Sequence, residues 1–166
     1  ERDAREGLGA RKAGMWGRPR WRPGETSRVE RRPFGAVLIL APGNYPLMFP
    51  GIQLLQALVA GNVVALKPAP GGEAAARLLV GLLAQAGFPQ SVCTILSTDS
   101  GREAVAAGFV LIILTGSAQT GRQVLQDAAR TPTPTLMELS GVDPVFVLLG
   151  AELAHVARLL AFWVRL

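Results

Sequence analysis

A strand–helix–strand pattern between residues 34 and 68 constrains the fold of this chain most strongly. Two short apolar runs, Ala36–Leu40 and Val63–Leu66, are typical of fully buried strands. Between them, Ile52–Ala60 carries apolar residues at helical spacing, and Gly61 follows as a stop signal. A strand, a helix and a second strand within about 30 residues form a βαβ unit, so the two strands are predicted to be parallel.

The rest of the chain continues the same alternation of helices and strands. Helices are predicted at Glu73–Ala86, Arg102–Ala107, Gly121–Arg130 and Glu152–Leu166, and further strands at Val92–Leu96, Phe109–Leu114, Leu136–Leu139 and Val145–Leu148. Such alternation predicts an open α/β fold with helices on both faces of the sheet.

The charge is concentrated in the amino-terminal segment, residues 1–32. This segment holds ten basic and five acidic residues, whereas residues 33–166 are balanced. Its glycines and prolines interrupt any long periodicity, so we expect it to be irregular and mobile relative to the rest. Because the folded part is not basic, we expect no nucleic-acid partner; a solvated arm or docking segment explains the basic residues better.

Length and composition indicate the class of chain. With 166 residues and 49% hydrophobic content, one domain with a proper core is expected. We find no long uncharged apolar run, so no membrane partner is expected. A single cysteine excludes an internal disulfide and fits a reducing compartment, so we expect a cytoplasmic protein.

Polar residues follow the predicted strands where a ligand of a parallel sheet would bind. Asn44 follows the first strand and Lys67 closes the second. The segment Thr115–Gly121 lies at a strand-to-helix junction, where glycine and the helix amino terminus favour a phosphate. On spacing alone this segment could equally be a tight turn, and Lys67 a solvated strand-end lysine.

Four motifs in order give these residues a more specific interpretation. They are Ala41-Pro42-Gly43-Asn44-Tyr45-Pro46, Gly61-Asn62-Val63-Val64-Ala65-Leu66-Lys67-Pro68, Leu114-Thr115-Gly116-Ser117 and Met137-Glu138-Leu139-Ser140-Gly141. Together they resemble the cofactor-binding half of the aldehyde dehydrogenase superfamily, over roughly 31–166. The resemblance implies a doubly wound, mostly parallel Rossmann-like sheet for residues 33–166.

The resemblance also implies a reaction and its catalytic residues. In this family a cysteine thiolate attacks a small-molecule aldehyde, hydride passes to NAD or NADP, and water releases the carboxylic acid. Asn44 matches the amide that donates to the oxyanion, and Glu138 matches the general base for water. Without the resemblance, Glu138 would be read as an ordinary strand-end carboxylate.

The cofactor-binding residues implied by the resemblance surround the same strand ends. Lys67 matches the lysine at the adenosine ribose, and Leu139 a residue near the nicotinamide. Backbone positions along the cofactor match Leu40, Ala41 and Pro42, and the pyrophosphate turn matches Gly116 and Ser117. Pro70 stands where a carboxylate often meets the ribose hydroxyls, so we expect little preference for NAD over NADP.

The nucleophile implied by the resemblance has no counterpart in these 166 residues. The family places its cysteine beyond the position of Leu166, so we expect a truncated chain that is inactive alone, from a protein that is a homo-oligomer. Cys93 lies in a predicted buried strand and is interpreted as inert packing, and His155 as a structural or surface residue. No cluster of histidine and cysteine indicates a metal site.

Two other interpretations stay open at this point. The chain could be a non-catalytic nucleotide-binding or subunit-interaction module. It could also be a fragment that does not fold stably without a partner domain.

Overall fold

A five-stranded parallel sheet forms the centre of the protein. The computed structural model describes residues 7–12, 28–142 and 144–164, with no account of the side chains of residues 11 and 12. The strands in chain order are β1 (Arg11–Lys12), β2 (Arg28–Val29), β3 (Ala36–Leu40), β4 (Val63–Lys67), β5 (Cys93–Ile95), β6 (Leu111–Gly116) and β7 (Thr135–Leu139). The central sheet has the order β5-β4-β3-β6-β7, with every neighbouring pair parallel.

Within residues 28–164 as far as the structure describes them, five helices accompany the strands. They are α1 (Met48–Val59), α2 (Glu73–Gln85), α3 (Gly101–Ala106), α4 (Ala118–Ala128) and α5 (Leu153–Trp163), with a 3-10 turn at Gln90–Val92. Gly61 follows α1 at φ +86°, a left-handed conformation that lets the chain leave the helix and enter β4.

Two apolar clusters place helices on opposite faces of the sheet. On the first face, Leu54 of α1 and Leu83 of α2 pack with Ile39 and Leu66. On the second face, α3 and α4 pack with Leu38 and Ile112. Adjacent strand residues such as Leu38 and Ile39 therefore point to opposite cores, as required by the two-residue period of a strand. The predicted doubly wound, mostly parallel sheet with helices on both faces is confirmed.

A buried amide joins the entrance of β3 to the end of α1. Asn62 accepts a hydrogen bond from the backbone N–H of Gly35 (3.0 Å) and donates one to the carbonyl of Ala57 (3.0 Å). Its side chain is only 7% exposed, so these bonds replace the water that it loses on folding. The βαβ unit is thus fastened at the end of the sheet opposite the ligand edge.

Several predicted boundaries differ from the observed ones. Helix α1 begins at Met48 rather than Ile52, because Pro50 falls in the first turn, where a proline is tolerated. Helix α4 begins at Ala118 rather than Gly121, because Ser117 caps it and Gly121 lies inside it. Strand β6 covers Leu111–Gly116, two residues later than predicted.

The predicted strand at Val145–Leu148 is wrong. Residues 144–148 form neither helix nor strand, and Phe146 and Leu148 are about four-fifths exposed. Their apolar run resembles that of a buried strand, but β7 remains the edge of the sheet within the described residues. An apolar run becomes a strand only where a neighbouring strand supplies hydrogen bonds.

The amino-terminal segment, residues 1–32, contains two short strands in its described parts. Strands β1 and β2 pair antiparallel, so the described parts of residues 1–32 include a short ribbon that the sequence did not indicate. Residues 1–6 and 13–27, which carry most of the expected mobile segment, lie outside the described residues. Among the described helices, none has the length and apolar character needed to cross a membrane.

Candidate dinucleotide and active site

A cleft of about 930 Å³ opens at the carboxyl edge of the sheet. The chain runs from β3 to β4 on one side and later returns to β6 on the other, so the strand order reverses between β3 and β6. Such a reversal is the place where doubly wound sheets bind ligands. All the site residues predicted from the sequence line this cleft: Leu40, Ala41, Pro42, Asn44, Lys67, Gly116, Ser117, Glu138 and Leu139.

Asn44 presents an oriented amide at the mouth of the cleft. Its Oδ1 accepts a hydrogen bond from the backbone N–H of Tyr45 at 3.1 Å. This bond identifies Oδ1 as the acceptor for the backbone, so Nδ2 is the donor that Asn44 can offer to a ligand of the cleft that it lines. The side chain is exposed and follows β3 on the way to α1.

Glu138 lies on the edge strand β7, on the first face of the sheet. Its neighbours Met137 and Leu139 pack against the second core, so strand alternation directs Glu138 to the opposite face. In register it lies beside Thr115 of β6. Strand β3, which leads to Asn44, is two strand spacings away, about 10 Å.

Lys67 and the β3 end form the second-face wall of the cleft. Lys67 pairs in register with Leu40, and its carbonyl accepts a hydrogen bond from the Ala41 N–H at 3.0 Å. Because Ala65 packs in the second core, alternation places the half-buried Lys67 side chain on that face too. A Cβ at Gly101 would lie 3.8 Å from Lys67 Cε, so the lysine stem runs close to the start of α3.

The first turn of α4 is capped by two serine hydroxyls. Ser117 Oγ accepts from the Thr120 N–H at 3.1 Å, which is a normal N-cap. Ser140 Oγ accepts from the Ala118 N–H at 3.3 Å. Ser140 was not predicted as a functional residue. Its contact with α4 could not be seen in the sequence, because it arises only when β7 and α4 come together in the folded sheet.

Leu139 and Gly121 pack against each other closely. A Cβ on Gly121 would lie 2.7 Å from Leu139 Cδ1 and 2.8 Å from Cδ2. The glycine therefore serves helix–strand packing rather than the approach of a ligand to the backbone. This contact sets the position of Leu139, which lines the cleft.

A hydrogen bond between Gln53 and Thr115 links α1 to β6 beneath the cleft. Gln53 Nε2 donates to Thr115 Oγ1 at 2.8 Å. Gln53 Oε1 is buried and has no hydrogen-bond partner within the part of the chain that the structure describes. Sequence reasoning did not find this pair, because its members are 62 positions apart.

Arg102 of α3 and Asp127 of α4 form an ion pair at the second-face end of the cleft. The guanidinium donates from Nε to Oδ2 (3.2 Å) and from Nη2 to Oδ1 (3.3 Å). The bond to Arg102 is the main cause that holds the pKa of Asp127 below its ordinary value, and the same bond raises the pKa of Arg102. Both residues were missed from the sequence, where 25 positions separate them.

Cys93 lies in the first core and does not line the cleft. It is 6% exposed, and burial raises the pKa of its thiol to about 11. A thiol that resists ionisation is a poor nucleophile, so the prediction of buried packing agrees with its surroundings. His155 is exposed on α5. Across the described ranges, no group of three His, Cys, Asp or Glu side chains could hold a metal ion.

The sheet order and the cleft define the class of protein. If β3 is counted as the first strand, the strand order of the central sheet matches that of a Rossmann-type dinucleotide-binding fold. At the switch point between β3 and β6, the cleft is lined by a cation, Lys67, by the capped amino terminus of α4 and by apolar residues. A sequence model of the aldehyde dehydrogenase family matches residues 7–164. The chain belongs to the aldehyde dehydrogenase family, and the match begins well before Arg31, where the sequence resemblance started.

Individual relatives agree with the family match. A 4,4'-diapolycopene aldehyde oxidase of Methylomonas sp is 41% identical over 133 residues, 79% of this chain and 25% of that protein. An NADP-dependent glyceraldehyde-3-phosphate dehydrogenase of Streptococcus equinus is 35% identical over 137 residues, 78% of this chain and 28% of that protein. The chain spans about a quarter of the length of these curated relatives.

A solved structure shows the same similarity in three dimensions. Mycobacterium tuberculosis aldehyde dehydrogenase complexed with NAD+ has a TM-score of 0.66 to this chain at 29% identity. The superposition covers 76% of this chain and 27% of the other.

Proposed function

We propose that the whole protein oxidises an aldehyde to a carboxylic acid with NAD or NADP, and that this chain supplies the cofactor site and two catalytic side chains. The observation that carries the proposal is the convergence of all nine predicted residues on one cleft at the switch point. Relatives named for aldehyde oxidation, for NADP dependence and for a complex with NAD+ support it.

In this proposal the second face of the sheet binds the cofactor and the first face carries the catalytic groups. Lys67, Leu40 and Leu139 belong to the second face, where α3 and α4 lie, and would hold the dinucleotide. Glu138 belongs to the first face, and Asn44 leads into α1 on that face. The reacting groups would thus meet around the carboxyl edge, with the cofactor on one face and the aldehyde on the other.

The residues present suit a dinucleotide. Lys67 supplies a cation for the ribose region, and Gly116 and Ser117 bring the start of α4 close to a pyrophosphate. The apolar walls from Leu40, Ala41, Pro42 and Leu139 would exclude water from the rings. When bound, the nicotinamide accepts the hydride that the aldehyde carbon loses.

Asn44 would stabilise the negative charge that develops on the aldehyde oxygen. Its Nδ2 is a neutral donor, and its orientation is set before substrate arrives by the bond from Tyr45 N–H to Oδ1. A preoriented donor stabilises the transition state without reorganisation at the moment of reaction.

Glu138 would take a proton from the water that releases the acid. Its carboxylate is exposed on the edge strand, so water reaches it directly. The backbone of β7 holds it in register beside Thr115, which Gln53 fixes from below.

The covalent step requires a thiolate, which Cys93 does not supply. Cys93 is buried in the first core with a raised pKa, and it is the one cysteine in this sequence. We therefore place the nucleophile in a part of the whole protein outside these 166 residues, and expect no aldehyde oxidation by this chain alone.

Substitutions in the whole protein test these roles through the appearance of reduced cofactor. Asn44→Ala should lower kcat about a hundredfold or more, as loss of an oxyanion donor does. Glu138→Gln should slow the hydrolytic step and leave a burst of reduced cofactor. Cys93→Ser should leave kcat unchanged, and Gln56→Ala on the exposed side of α1 is the matched control. Full activity in Asn44→Ala and Glu138→Gln, or its abolition by Cys93→Ser, would contradict the proposal.

A second candidate is a non-catalytic nucleotide-binding module. The burial of Cys93 favours it, because the one cysteine of this sequence lies in the first core and does not line the cleft. Dinucleotide binding by the whole protein without turnover of any aldehyde would support the module and exclude the enzyme.

Cellular location and assembly are also proposals. We propose a reducing, cytoplasmic compartment, because the one cysteine is a buried free thiol. We propose a homo-oligomer, because α5 buries none of its side chains and exposes Phe162 and Trp163. A mass of one chain by light scattering of the whole protein at micromolar concentration would contradict the oligomer.

A further inference from the structure

Residues near the carboxyl end of β4 determine whether a Rossmann-type cleft prefers the 2′-hydroxyl of NAD or the 2′-phosphate of NADP. In such folds an acid near this strand end holds the 2′-hydroxyl of NAD, whereas a nearby arginine accommodates the 2′-phosphate of NADP. Here Lys67 is followed by Pro68, Ala69 and Pro70, none of which carries a carboxylate. Glu73 opens α2 and does not line the cleft.

Arg102 and Lys67 both line the cleft on its second-face side. A Cβ on Gly101, its neighbour in the chain, would lie 3.8 Å from Lys67 Cε, so the lysine stem runs close to the start of α3. The Arg102 side chain is 83% exposed, so a ligand reaches it without displacing protein. Asp127 uses Nε and one N–H of Nη2, which leaves three N–H groups on the guanidinium.

Two acids line the cleft, and they offset only one of these two cations at this end. Asp127 is engaged by Arg102 in two hydrogen bonds. Glu138 is on β7, three strand spacings or about 14 Å from β4, and points to the other face. A dianionic phosphate placed near Lys67 would therefore meet Lys67 and the Arg102–Asp127 pair, which together carry a net positive charge.

We propose that Arg102, positioned by Asp127, forms with Lys67 a subsite for the 2′-phosphate of NADP, so that the cleft prefers NADP to NAD. The planar guanidinium fork matches phosphate oxygens, and Lys67 adds a point charge beside it. The inference rests on the proposed function, since it assumes that the cleft holds a dinucleotide in the Rossmann manner.

Calorimetric titration of the whole protein with NADP and with NAD tests the subsite. The wild type should bind NADP about tenfold tighter than NAD, because each charge-assisted hydrogen bond to the phosphate contributes at least that factor. Arg102→Gln should remove this preference while the Kd for NAD stays nearly the same. Arg102→Lys, which keeps the charge without the fork, should bind NADP with intermediate affinity.

Arg122→Gln is the matched control. It removes the same charge from the neighbouring helix α4 at an exposed position outside the cleft, and should alter neither Kd. Equal loss of NADP and NAD affinity in Arg102→Gln would show that Arg102 only clamps α3 to α4, and would overturn the subsite. A wild-type preference for NAD would overturn it regardless of how the variants fold. Failure of both dinucleotides to bind would overturn the proposed function as well.

Discussion

Replacing Gly121 with alanine tests the contact that positions Leu139 in the cleft. Gly121 lies inside α4 with its Cα facing β7, and the added Cβ would lie 2.7 and 2.8 Å from the two Leu139 methyl carbons. Normal van der Waals separation begins near 3.4 Å, so one partner must move by more than half an ångström. The obstructing atoms are the end of the half-buried Leu139 side chain, so a movement of that side chain relieves the overlap at lower cost than a backbone shift would.

Two opposing terms set the expected magnitude. Alanine is favoured over glycine inside a helix by about 1 kcal/mol. Insertion of a methyl group into a packed region costs about 1–3 kcal/mol. We therefore expect Gly121→Ala to lower the free energy of unfolding by up to about 2 kcal/mol, a fall in Tm of several degrees at this chain length.

Gly81→Ala is the matched control for the helix term. Gly81 is an exposed interior residue of α2, and nothing lies within 4 Å of the Cβ that it would gain. This variant should raise the free energy of unfolding by about 1 kcal/mol, since it gains propensity without a clash. The difference between the two variants in urea unfolding measures the packing cost alone.

A double-mutant cycle with Leu139→Ala identifies the partner. In the Leu139→Ala background the obstructing Cγ and Cδ atoms are absent, so Gly121→Ala should become as favourable as Gly81→Ala. If Gly121→Ala stabilises the wild type as much as Gly81→Ala does, the close packing of α4 on β7 is refuted.

Three further substitutions or conditions test other contacts. Asn62→Ala should lower the free energy of unfolding by about 1–3 kcal/mol in urea melts, because it leaves the Gly35 N–H unpaired, whereas the Ala57 carbonyl keeps its bond from the backbone N–H of residue 62; a change as small as that of exposed Gln56→Ala would contradict the buried bonds. Lys67→Ala should weaken binding of both NAD and NADP about ten- to a hundredfold in calorimetry, and an unchanged Kd would remove the lysine from the site. The pKa of Asp127 is lowered, so its ion pair with Arg102 stabilises the fold above the ordinary aspartate pKa and loses this effect as the pH falls through the lowered value. Asp127→Asn should therefore make Tm depend less on pH at the acid end of a Tm–pH profile. An identical dependence in the wild type and the variant would exclude the linkage.

Local sequence determined the strands and the ligand edge. Ala36–Leu40 is found as predicted, and β4 and β7 differ by a single residue at one end, because an uninterrupted apolar run between turn residues has few other stable states. Once three such strands are parallel, their carboxyl ends must share one edge. The residues at or after these strand ends, from Asn44 to Leu139, therefore line one cleft.

Tertiary structure alone decided the contacts between elements distant in the chain. Arg102 meets Asp127, Ser140 meets the Ala118 N–H, and Leu139 meets Gly121 only when α3 and α4 pack on the second face and β7 pairs with β6. The apolar run Val145–Leu148 has the sequence pattern of a strand but does not form one, because no neighbouring strand pairs with it in the described residues. Periodicity and turn chemistry act over a few residues, whereas pairing, side-chain packing and ion pairs depend on which surfaces the folded chain brings together.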